Sequence, residues 1–431
     1  MTLLGVGVVM VGGLTWVVWP DFTAEPAPHD PQFLDRMNAL AAEGQPEGEN
    51  GWIALRAFLL ESGVSRDYGS PATGSAWAGV TGWDAHPSEL LHSAWDDPRL
   101  TPHREALEAA LVLLPPLDAA MDGGRFYIPY RWDGAALSDD PDQMAHGPRI
   151  ALDYLRVANQ LAAINAAAMR RAATMGDWPE ATRRLETGLA MAERLSRQAM
   201  LIEGMVGVAI EGMILAEMRR LLNEFDIPSE ASASMLRTLE ARPGPWNETR
   251  RVIAGEMEWM RETMRPMFST GGVFLDWKGD TADMFLFEPR NFGERIADMR
   301  HAVTLRWTDF EATLFELAPR VSEALDGVAS PERPSDRNRF FIDEFFEQYV
   351  ESFSGAGGVY RRTAAEAAAV AVMLRLELFH AEHGRWPESL LEAMTAQEAA
   401  DPVSGRLFEY SMVDDPGRPY SLPYPANAGY M

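Results

Sequence analysis

The chain of 431 residues has no cysteine. That excludes disulfide cross-links, thiolate nucleophiles and cysteine-ligated zinc or iron–sulfur centres. Lysine is almost as scarce: Lys278 is the only one, and the rest of the 38 basic residues are arginine. Lys278 stands between Trp277 and Gly279, so it belongs to no phosphate-binding loop. Gly5-Val6-Gly7 lacks the third glycine of a dinucleotide fingerprint, and neither a G-x-S-x-G elbow nor an H-E-x-x-H helix occurs. Positive charge is short overall, with 38 basic against 64 acidic residues and a net charge of −26. Such a surface repels phosphate backbones, so nucleic-acid binding is disfavoured and no nucleic-acid partner is expected. No cofactor is called for by any motif.

What is present is apolar and helical. Hydrophobic residues make up 47% of the chain, ample for a large core. The stretch from Pro148 to Leu222 is the most apolar and the most clearly periodic. Leu185, Leu189, Ala192 and Leu195 fall on one helical stripe, and Leu155, Ala158, Leu161, Ala162, Ala168 and Met169 behave similarly. Between the two stripes lies Met175-Gly176-Asp177-Trp178-Pro179-Glu180. Gly176 fits the left-handed residue that ends a helix. Asp177 and Glu180 have the spacing of a capping box, and Pro179 sits in a first turn that needs no donor at that position. An antiparallel helical hairpin is predicted. The following run, Ala199–Leu215, nearly reaches membrane-spanning length, but Glu203 and Glu211 would be costly in lipid, so a buried core helix is expected. The two glutamates lie eight residues apart and share a helix face, expected to be a solvent-facing strip because Glu is seldom buried unless paired.

Elsewhere, Pro31–Ser62 reads as two short helices interrupted at Gly44–Gly48, and Gly63–Pro87 as a long loop. Residues 88–121 read as helix with breaks at Pro98 and Pro115-Pro116. Phe126–Trp132 is an aromatic loop that covers the hairpin. Ser229 is expected to cap a short helix to Ala241. Pro245–Met267 and Arg295–Leu325 are further helices, and Phe340–Phe353 is an aromatic one. In the tail, Ala364–His383 is a helix with Ala368, Ala371, Leu374 and Phe379 inward, ended by Gly384. A short helix follows Pro387, Asp401–Gly405 is a turn, and Arg406–Met412 alternates like a strand.

Leu3–Trp19 is an uncharged apolar run, about 25 Å long as a helix. Trp16 and Trp19 would meet the interface. No basic residue precedes Arg36 and Ala24-Glu25-Pro26-Ala27 is a poor cleavage site, so an uncleaved anchor is expected, with the body exported to the periplasmic side. Contact with the membrane through this segment and an unnamed protein partner are the expected associations. The organisation predicted is an anchor or signal segment at 1–20, a proline-rich linker at 21–31, a helical body at 32–330, a linker and aromatic helix at 331–359, and a tail module at 360–431.

The Gly176-Asp177 to Ala181 junction resembles a tetratricopeptide unit, although no second copy appears at that repeat's period of about 34 residues. Together with Ile202–Ala209 (IEGMVGVA) and the tail, it resembles a family of membrane-anchored helical proteins of planctomycete-type bacteria, which implies an architecture and no activity. Gly384, Trp386, Pro387, Leu390, Asp401, Pro402, Gly405 and Tyr410 resemble the soluble part of type II secretion pseudopilins. These resemblances imply a mainly α fold: an irregular helical bundle with one tetratricopeptide-like hairpin and a small C-terminal α+β pilin-like cap.

Two Glu-x-x-His pairs occur, Glu89/His92 and Glu377/His380, each one helical turn apart, with His383 near the second. Two such pairs with further glutamates would build a di-iron site in a helical bundle. Among 8 histidines and many glutamates two chance pairs are unremarkable and are the preferred reading, and His380 and His383 suit the negative end of a helix dipole. The function expected is therefore a non-catalytic, membrane-anchored scaffold or interaction protein, and the alternative is a metal-dependent helical enzyme.

Overall fold

A computed structural model describes residues 27–62, 65–66, 70–71, 95, 97–131, 150, 152, 154–242, 249–272, 307–326, 341–412 and 420–421. The chain is mainly helical. Its helices are α1 (Phe33–Ala42), α2 (Gly51–Glu61), α3 (Thr101–Ala110), α4 (Leu114–Asp122), α5 (Tyr154–Thr174), α6 (Trp178–Ser196), α7 (Leu201–Glu224), α8 (Ser229–Glu240), α9 (Thr249–Met264), α10 (Trp307–Leu325), α11 (Phe341–His383) and α12 (Leu390–Ala393). Two antiparallel pairs of two-residue strands, Ser65–Arg66 with Ser70–Pro71 and Ser411–Met412 with Tyr420–Ser421, accompany them. The chain divides into two compact units.

The larger unit comprises residues 41–129, 152–252 and 358–431. Its centre is α5, which is buried nearly all round rather than along one stripe. Alanine makes this possible, because it favours helix and lets neighbouring helices approach closely. The turn after α5 is set by local chemistry. Gly176 takes φ 73°, its N–H donates to Ala173 O at 3.0 Å, and Asp177 N donates to Ala172 O at 2.8 Å. This pair of bonds is a Schellman closure. Asp177 then accepts from Glu180 N at 3.2 Å to start α6. The reciprocal half of the expected capping box is absent, because Asp177 N is already used and Glu180 pairs with Arg184 at 2.9 Å.

Leu185, Leu189, Ala192 and Leu195 face the core as predicted. Helix α7 crosses α6 at very short range. A Cβ on Gly207 would stand 2.6 Å from Ala192 O, and one on Gly188 would stand 2.5 Å from Ile214 Cδ1. The break expected at Pro115-Pro116 falls just ahead of them: α3 ends at Ala110, and the two prolines occupy the first turn of α4, where no amide donor is required. The chain bends through a 3₁₀ turn at Leu111–Leu113. The aromatic loop lies over the core, with Phe126 edge-on to Trp52 at 6.1 Å and Ile128 N donating to Gln198 at 3.1 Å. At α8, Pro228 rather than Ser229 takes the cap position, because its extended backbone delivers the chain to the helix one residue earlier.

The tail packs on the same core. Val370, Val372, Met373, Leu374, Leu376, Leu390, Met394 and Ala399 join the cluster built by α5, α6 and α7. Ala368 and Ala371, expected inward, are only half-buried. Tyr410 donates to Pro387 O at 2.8 Å, and Asp401 accepts from Val403 N at 2.9 Å to close its turn. Arg406–Met412 is less regular than a strand: Leu407 bridges Ala400, and pairing resumes at Ser411.

The smaller unit comprises residues 1–40, 130–151 and 253–357. Arg36 links Asp30 at 2.9 Å to Glu258 at 2.8 Å, and Arg261 reaches Glu311 at 2.7 Å. Residues 27–30, at the end of the proline-rich stretch, are tied down: Ala27 N donates to Phe268 O at 2.7 Å, and Glu262 accepts from Asp30 N at 2.9 Å. Phe268, Trp307 and Phe310 form an aromatic group.

The aromatic helix and the tail helix predicted as separate elements are one helix of 43 residues, α11. Gly355, Gly357 and Gly358 lie within it, and Gly357 serves packing. A Cβ there would lie 2.4 Å from Leu325 O. The helix is continuous through the boundary expected at 359/360, and the division between the two compact units falls at 357/358 within it.

Candidate functional site

The concentration of chemistry among the described residues is a set of charged groups buried inside the larger unit. Glu203 and Glu211 do share a face of α7, but it is not a solvent strip: they are 0% and 2% exposed. The correction has a physical cause, since a buried carboxylate is tolerated once it is paired and hydrogen-bonded. Glu203 is the third residue of α7, so it accepts from Met200 N at 3.0 Å and benefits from the positive end of the helix dipole. It also accepts a hydrogen bond from Tyr154 at the start of α5. Glu211 is paired with Arg242 at 2.7 Å.

Between these carboxylates lies Tyr360 of α11. Its hydroxyl stands where a side chain on Gly204 would go, 2.5 Å from the Cβ position. Burial pushes its titration far above the ordinary tyrosine range; a hydrogen bond with Ser196 opposes the shift and the Glu211 charge adds to it. Tyr154, Glu203, Tyr360, Ser196, Glu211 and Arg242 thus join α5, α6, α7 and α11 through one polar seam.

A second group joins α4, α5 and α6. Arg184 bonds to Asp118, with Glu180 at 2.9 Å. Thr187 donates to the other Asp118 oxygen at 2.6 Å, and Asn165 donates to Arg184 O at 2.6 Å. A third group holds α5 to the end of α7: Arg170 gives two bonds to Glu224, at 2.8 and 2.7 Å, and lies 3.6 Å from Glu217. Burial raises the Glu217 carboxyl to about 7, while the charges of Arg170 and Arg220 pull it down.

The residues proposed from sequence for metal binding behave differently. Glu89 and His92 lie outside the described residues. His380 lies flat on Trp386 at 4.3 Å, and His383 lies flat on Phe379 at 4.0 Å. His383 Nδ1 is also 3.0 Å from Phe379 O. Glu377 shares their helix, but the two rings are engaged with different aromatic partners. No three side chains of His, Cys, Asp or Glu converge among the described residues. The apolar segment Leu3–Trp19 also lies outside them, and among the described residues no helix is long and apolar enough to cross a membrane.

Arg170, Arg184, Glu217, Tyr154 and Tyr360 were not singled out by sequence. A faint signal exists for Arg170, which with Arg171 interrupts the alanine-rich stretch Ala166–Ala173. No protein-family model, no curated protein and no solved structure matches this chain.

Proposed function

We propose that this chain is a membrane-anchored extracytoplasmic scaffold or interaction protein rather than an enzyme. One observation carries the reading: the charged groups of its core are committed to one another across helices. Glu203, Glu211, Arg170 and Arg184 are each nearly inaccessible; Glu203, Arg170 and Arg184 are each bonded to a residue of another helix, and Glu211 to Arg242 just beyond the end of α8. A catalytic group must reach a substrate; these groups hold helices in register instead. The flat stacking of His380 and His383 on separate aromatic rings speaks against the metal-dependent alternative.

The finer architecture belongs to the same reading. The Schellman closure and Asp177 cap support a tetratricopeptide-like hairpin in α5–α6. The Asp401 turn and the Tyr410–Pro387 bond support a pilin-like cap. The Leu3–Trp19 run supports an anchor, and the three together support kinship with the membrane-anchored helical family that the sequence resembles. The test compares full-length protein with a variant lacking Met1–Pro20. The full chain should sediment with membranes and capture a defined protein partner by pull-down, and the truncated chain should not sediment. Stoichiometric iron or manganese in purified full-length protein would overturn the scaffold reading.

A further inference from the structure

The third buried group has an unusual geometry. The Glu217 carboxylate is 1% exposed and neither of its oxygens has a hydrogen-bond partner. Arg170 Nε and Arg220 Nη1 each stand 3.6 Å away, just beyond bonding reach. Arg170, itself 1% exposed, gives its Nη2 bonds to Glu224, which is 43% exposed at the last residue of α7. Glu217, Arg220 and Glu224 follow one another on successive turns of one helix. An ionised carboxylate in the interior without hydrogen bonds is expensive, whereas its protonated form is not.

We propose that Arg170, Glu217, Arg220 and Glu224 form a proton-operated latch between α5 and the last turn of α7. With a proton on Glu217, Arg170 grips Glu224 and pins the helix end. When the proton passes to bulk water, the ionised Glu217 draws the guanidinium inward and the hold on Glu224 slackens. The lift of the carboxyl to about 7 by burial places this exchange near neutrality. The following charged groups around α7 have partners other than Glu217. Glu366 of α11 pairs with Arg219 at 3.4 Å, and Arg375 of the same helix bonds to Glu240 of α8. On α6, Arg183 and Arg184 turn to Asp122 and Asp118, Arg194 to Gly123 O, and Arg197 to Glu193 at 2.6 Å. Arg242 is held by Glu211.

Hydrogen–deuterium exchange on the full chain, corrected for the chemical exchange rate, tests this at pH 6 and pH 8. The amides of residues 221–225 should lose protection roughly two- to tenfold at the higher pH, the scale of one hydrogen bond. Glu217→Gln should abolish that change, and Glu224→Gln should leave the segment weakly protected at both pH values. Equal protection at pH 6 and 8 in the unmodified chain overturns the latch, and so does an unchanged pH response in Glu217→Gln. If Glu217→Gln fails to fold, Glu224→Gln decides alone: a retained response to pH refutes the proposal.

Discussion

The hydroxyl of Tyr360 occupies the space that a side chain at position 204 would need, 2.5 Å from the Cβ position of Gly204. Two helices distant in sequence are thereby fitted to each other through one missing methyl group. A helical Gly→Ala change ordinarily gains about 1 kcal/mol, but overpacking a closed core costs about 1–3 kcal/mol.

Gly204→Ala should therefore be neutral to mildly destabilising, since only the tip of one tyrosine must move. Gly207→Ala should cost more, because its Cβ meets the backbone oxygen of Ala192 at 2.6 Å and the backbone cannot yield. Thermal melts of the two variants check the order. A Gly204→Ala, Tyr360→Phe double variant should be more stable than the sum of its parts predicts.

At the hairpin, Gly176→Val puts a β-branched residue at φ 73° and should cost about 1–2 kcal/mol or more. Asp177→Ala removes the acceptor for Glu180 N and should cost about 1 kcal/mol. Unchanged melting temperatures in both would contradict the closure seen here.

The folded state keeps a proton on Glu217 up to about 7, whereas a free carboxyl releases it near 4.5. Its contribution is present below about 4.5 and is lost as pH rises through about 7, a difference on the order of 3 kcal/mol. Asp30 and Glu398 act in the opposite direction. Both are held below the usual carboxylate range, Asp30 by the Gln32 amide and Glu398 by Thr395, so their stabilisation is lost as pH falls. Subtracting the melting curve of Glu217→Gln from that of the unmodified chain isolates the falling limb.

The tail should not fold alone. Val370, Val372, Met373, Leu374 and Leu376 of α11 are buried in the cluster built by α5, α6 and α7, and a pair of two-residue strands cannot cover them. Residues 360–431 expressed alone should give poorly dispersed amide resonances and no cooperative melt. A cooperative transition in that fragment would refute this dependence.

What could be read from the sequence was what short-range chemistry decides. Gly176 and Asp177 set the hairpin turn through bonds to residues no more than five positions away, and the Leu185–Leu195 stripe follows from helical period alone. The seam was not legible, because its partners are remote: Tyr154 lies 49 positions from Glu203, and Arg242 lies 31 from Glu211. Without those partners two glutamates on a helix read as a wet face. The same limit hid the continuity of α11. Gly355, Gly357 and Gly358 lie between the two predicted helices, and nothing nearby in sequence reveals the Leu325 carbonyl against which Gly357 packs.

The cations in the buried pairs of the larger unit, Arg170, Arg184 and Arg242, are all arginines. A guanidinium keeps its charge far into alkali and does not react with amine-directed reagents. Succinimidyl labels and formaldehyde-type cross-linkers, which seek primary amines, therefore find no target in these bridges, and the one lysine of the sequence is Lys278. Dicarbonyl reagents that consume guanidinium groups would act on the fold itself, and only as fast as the helices open to admit them.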